Sequence, residues 1–66
     1  MDETTTEQIR ALLTRVGMIM EDASSSALML KPADATFVDQ LDALARGIDG
    51  AGILLRAAAV LYADDR

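Results

Sequence analysis

The sequence predicts an all-α chain: an antiparallel helical hairpin, with helices over about residues 5–30 and 34–63, that pairs with a second copy into a homodimeric four-helix bundle. Three observations point there. Apolar residues recur at alternating spacings of four and three, the period of a helix seam. A lone proline, Pro32, separates two such runs. The carboxyl-terminal half is apolar over more of its circumference than one hairpin hides. The 66 residues read as a single domain.

The first helix opens in TTTEQ, where Thr4 and Glu7, or Thr5 and Gln8, have capping-box spacing, which places its start near Thr5. Its seam reads Ile9, Leu13, Val16, Met20, Ala23, Ala27 and Leu30, with Leu12 and Ile19 flanking. Ser24, Ser25 and Ser26 compete with the backbone for hydrogen bonds and weaken the helix locally, but the seam continues past them. Pro32 disfavours helical geometry at the residue before it and has no amide to donate, so KPAD is a turn. Beyond it, Asp34 or Thr36 caps the second helix, and Thr36 and Asp39 repeat the box spacing. The second seam reads Phe37, Leu41, Leu44, Ile48, Ala51, Leu55, Ala58 and Tyr62.

Gly47, Gly50 and Gly52 fall inside this second run, in the order G-x-x-G-x-G. A dinucleotide loop needs G-x-G-x-x-G after a buried strand, and a phosphate loop needs a following lysine and hydroxyl, so neither reading fits. The seam stays in phase through the glycines, which predicts a continuous helix thinned for close packing. Level-matching across the hairpin nominates Gly17, Gly47, Gly50 and Ala51 for that close approach. The alternative is a hinge, giving a three-helix monomer broken at residues 47–52.

Opposite the seam, the second helix passes from Asp39, Asp42 and Arg46 to Ile53, Ala57 and Val60, and Ala11 and Met18 of the first helix stand at the same end. These five apolar residues form the expected dimer or partner surface. A chain this short has a marginal core, and with no cysteine and no histidine it has neither a disulfide nor a thiolate or imidazole metal site to reinforce it. A second copy is the remaining source of stability.

Chemistry is scarce. Asp39, Asp42 and Asp49 share a broad helical face that reads as solvated, with Asp42 and Arg46 at ion-pair spacing, and the serines lack a base. No catalytic, cofactor or metal site is expected, and no enzymatic activity. A net charge of −5 disfavours nucleic acid and anionic membranes. The acidic, polar start and the absence of a sufficiently long apolar run predict a cytoplasmic protein without a membrane segment.

The functional expectation is a noncatalytic protein-interaction or regulatory module acting as a homodimer. Met18 and Met29 are adaptable candidates for a partner surface. A small apolar-ligand binder with an interhelical pocket is the alternative, and an RNA or DNA regulator a weaker one. In size and hairpin layout alone, with no shared motif, the chain resembles small plasmid-encoded helical-hairpin dimers that regulate RNA pairing; the resemblance implies a fold and no function.

Overall fold

A computed structural model describes residues 2–65 and folds them into two helices, α1 (Glu3–Met29) and α2 (Phe37–Asp64), packed against each other as an antiparallel hairpin. The Cα trace is a thin rod of 50 × 15 × 10 Å. Among the described residues there is no strand, and no helix is long and apolar enough to cross a membrane.

α1 begins earlier than its capping-box signal suggests. Asp2 is the N-cap and makes no side-chain cap hydrogen bond, so Thr4 and Thr5 lie inside the first turn and neither box forms. The Thr6 hydroxyl instead donates to the Asp2 carbonyl at 3.1 Å, alongside its own backbone amide at 2.9 Å. The three serines stay helical and exposed, and α1 runs on to Met29.

The turn follows from Pro32. Leu30 is already extended at ψ 136°, and its amide reaches back to Ala27 as the helix ends. Asp34 N–H then donates to the Lys31 carbonyl at 3.0 Å, a β-turn with Pro32 in the position its fixed φ favours. A further turn, Phe37 N–H to the Asp34 carbonyl at 3.1 Å, leads into α2. Thr36 is the N-cap without a side-chain cap bond; rather than pairing with Asp39, its hydroxyl accepts from the Gln40 side-chain amide at 3.2 Å.

α2 is a single helix of 28 residues that passes through Gly47, Gly50 and Gly52 without a break. No glycine has a positive φ. The hinge alternative, a three-helix monomer broken at residues 47–52, is therefore corrected: the backbone there is continuous helix.

The inner face is the second correction. Ile9, Val16, Ala23 and Leu30 face inward with Phe37, Leu44, Ala51 and Ala58, as the seams require. The alternating positions between them differ. Leu12 and Ile19 are turned in where Leu13 and Met20 were expected, and Gln40, Gly47, Leu54 and Leu61 replace Leu41, Ile48, Leu55 and Tyr62. Both helices are thus rotated the same way by one residue in every second step. The cause is a stripe three positions wide: with residues 12 and 13, 19 and 20, 54 and 55, and 61 and 62 all apolar or amphipathic, period alone does not choose which of each pair turns inward. Only Ala51 and Ala58, at 2% and 7% exposure, are buried among the described residues.

Candidate interaction surfaces

A polar clasp holds the end opposite the turn. Asp65 lies beyond the last turn of α2, and its carboxylate accepts the Asp2 N–H at 2.8 Å and the Thr5 hydroxyl at 3.5 Å. Its charge sits at the positive end of the α1 dipole, where it is favoured. Sequence reasoning missed this contact because the residues are 63 positions apart and no local motif links them. The clasp also sets the register: Thr5 is level with Asp65, and stepping inward puts Ala23 across from Gly47 and Leu30 across from Gln40.

That register opens a groove near the turn, of about 520 Å³, lined by Ala23, Met29 and Leu30 of α1 and Gln40, Leu44 and Gly47 of α2 among others. Facing Ala23 and Ser26, Gly47 has no side chain to fill the gap, and a Cβ built on it meets no atom within 4 Å. A shallower depression lies on Gln8, Ala11, Leu12 and Leu61 at the clasp end. Because Asp22 and Met29 of α1 and Ala43 of α2 border the first groove, these positions define one common flank of the hairpin.

The opposite flank is apolar along α2 and more broken along α1. It carries the residues that the rotated seams leave out: Leu13, Met20 and Ala27 on α1, and Leu41, Ile48, Leu55 and Tyr62 on α2. In an antiparallel pair these equivalent positions of the two helices fall on the same side. The four on α2 are between 42% and 49% exposed, which places them at the lip of the core. One residue-row further out on α2 stand Val38, Ala45, Gly52 and Ala59. Together they make an outer seam, Val38, Leu41, Ala45, Ile48, Gly52, Leu55, Ala59 and Tyr62, with the same three-four alternation as the inner one and no charged residue.

The residues nominated for the dimer or partner surface are largely exposed: Ala11 lines the clasp-end depression, and Ile53 and Val60 stand on the back of α2 in line with Asp42. Met18, Ile53 and Val60 are each more than half exposed, Ala11 is exposed and Ala57 half-buried. They do not form one patch: Ala11 and Met18 belong to α1, Ile53 and Val60 to the back of α2. The residues nominated for close packing do not share one environment. Ala51 is buried, Gly47 and Gly50 are half-buried and Gly17 is exposed. A Cβ on any of the glycines would meet no atom within 4 Å, so the hairpin itself does not use their thinness.

Comparison of the chain with protein-family models, with curated proteins and with solved structures finds no match in any of the three.

The polar residues offer little to a reacting group. Among the described residues no group of three or more acidic, histidine or cysteine side chains is placed to hold a metal ion. Asp42 and Arg46 form the ion pair their spacing suggests, at 2.5 Å, but with side chains 56% and 78% exposed it stabilises the helix by only about 0.3–0.5 kcal/mol.

Proposed function

We propose that the chain is a noncatalytic, cytoplasmic interaction module that works as a homodimer, with two hairpins forming a four-helix bundle. The observation that carries this reading is surface. The chain exposes 5128 Å², whereas a compact monomer of 7.0 kDa exposes about 4,000 Å², so the excess is roughly 1,000 Å². One partner's share of a standard protein interface is about 800 Å². The excess is of the right size and largely of the right kind: Leu13, Met20, Leu41, Ile48 and Leu55 stand 42–48% exposed on one flank. Covering each remaining half of such a side chain is worth about 0.8–1.5 kcal/mol, and a two-fold interface counts every residue twice.

In this arrangement Ala11, Met18, Ile53, Ala57 and Val60 stay outside the interface, as a surface for another protein.

Sedimentation equilibrium tests the assembly. The expected mass is twice 7.0 kDa at micromolar concentration; a mass of 7.0 kDa overturns the reading. The groove supports a second reading, that of a small apolar-ligand binder, because about 520 Å³ lies within the size range of small-molecule sites. Native mass spectrometry of protein taken directly from cells distinguishes it: a retained small molecule, lost on Gly47→Leu, favours the binder.

A further inference from the structure

We infer that the second copy docks along the outer seam of α2, antiparallel to it, about a two-fold axis level with Gly50. This names the interface of the homodimer proposed above and rests on that reading.

Residue size along the seam points to this pairing. The outer seam has two kinds of position. Leu41, Ile48, Leu55 and Tyr62 are the large ones; Ala45, Gly52 and Ala59 are small, and Val38 is the smallest branched aliphatic. When two identical seams run parallel, each layer sets like against like, large on large and then small on small, which alternates crowding with voids. Running antiparallel, every large residue meets a small one. An isologous interface must be complementary to itself, and this seam is so only in the antiparallel sense.

Register follows from overlap. Centring the pair on residue 50 brings the whole seam into contact: Val38 lies against the partner's Tyr62, Leu41 against the partner's Ala59, Ala45 against the partner's Leu55, and Ile48 against the partner's Gly52. A shift by one heptad keeps large against small but leaves one end of each seam bare. Residue 50 is also midway between the turn and the clasp at Asp65, so two rods of 50 Å overlap along their full length. On the rim of the seam, Asp42 then stands within half a turn of the partner's Arg56 on both sides of the axis, while Asp49 faces its own copy in solvent.

On α1 the register of the clasp sets Met20 level with Gly50, so the same axis opposes Leu13 to the partner's Ala27 and brings Met20 beside its own copy. Gly52, beside which the hairpin leaves open space, thereby acquires the partner's Ile48 as a neighbour.

Two variants test the pairing. The chain has no native cysteine, and residues 45 and 55 of one helix lie about 15 Å apart, too far for a disulfide within a chain. Oxidising the doubly substituted Ala45→Cys/Leu55→Cys protein is expected to yield a covalent dimer, whereas Ala45→Cys alone is expected to yield none. Gly52→Leu is expected to keep its helix content, since a side chain there meets open space in the hairpin, and to raise the dimer dissociation constant by on the order of a hundredfold. The α2 pairing is overturned, with the homodimer left standing, by a dimeric parent whose double variant keeps dimer mass when reduced yet does not crosslink, by crosslinking through Ala45→Cys alone, or by undiminished dimerisation of Gly52→Leu. A parent of 7.0 kDa overturns both proposals.

Discussion

α1 and α2 are almost the same length, 27 and 28 residues, and share one inner seam, but they turn different surfaces outward. Around α1 the outward rows carry Glu7, Arg10, Thr14, Arg15, Glu21, Asp22 and the serines, so water satisfies most of its circumference. Around α2 the charged residues Asp39, Asp42, Arg46, Asp49 and Arg56 keep to one side, and the flank beside the inner seam has none. A helix with a single apolar stripe is served by one neighbour; one with two adjacent stripes asks for two. In the proposed dimer α1 is therefore the cover, and α2 the helix around which the assembly is organised.

That asymmetry is open to direct attack. The largest effect is expected from Ile48→Glu with Leu55→Glu, which sets charges into the outer seam of α2. Analytical ultracentrifugation should show the dimer dissociation constant raised on the order of a thousandfold, given about 0.8–1.5 kcal/mol for the exposed half of each apolar side chain and two copies of each. Leu13→Glu with Met20→Glu on α1 makes the same change where Arg10 and Ser24 already interrupt the stripe, and a smaller rise, on the order of a hundredfold, should follow. Equal effects would erase the distinction between cover and centre.

The inner seam comes next. Ala51 is 2% exposed, so Ala51→Leu should force the helices apart at a cost of about 1–3 kcal/mol and lower the melting temperature by about 4–8 °C per kcal/mol. Gly50→Ala should act in the opposite direction. A Cβ there meets nothing within 4 Å and helix propensity favours alanine by about 1 kcal/mol, so the melting temperature should rise by about 4–8 °C. A fall instead would reveal a close neighbour outside the single hairpin. The smallest effect is expected at the clasp: Asp65→Ala removes the acceptor for the Asp2 amide and the Thr5 hydroxyl, and chemical denaturation should report a loss of about 0.5–1 kcal/mol.

The helices, the proline turn and the continuity of α2 through its glycines were legible because each rests on local rules: period, a missing amide and an unbroken phase. The facing of the seams was only half legible. Wherever two adjacent residues are both apolar, as at Leu54 and Leu55, the spacing admits either, and the choice belongs to the partner helix. At Gly47 and Ile48 the reading went to the greasier residue, while the fold turns the glycine inward and leaves the isoleucine at the rim. The start of α1 was misplaced for a related reason: capping-box spacing at Thr4 and Thr5 is a statement about reach, and the chain satisfied that end by other means. Thr36 is the N-cap of α2, as its position suggested, but makes no side-chain cap bond. The surplus of apolar surface was legible as an amount. Its share on the flank bearing Leu41 and Ile48 required the rotation of both helices to be known, while Ile53 and Val60 stand 63% and 58% exposed on the back of α2.

The clasp between Asp2 and Asp65 has a bearing on geometry at larger scale. It gathers the first and last described residues at one tip of the rod, leaving Pro32 at the other. In a head-to-tail pair of such rods the two clasps sit at opposite poles, separated by nearly the full 50 Å. Whatever is tethered there would be held at a set distance and pointed in opposite directions, the behaviour of a spacer with two identical handles.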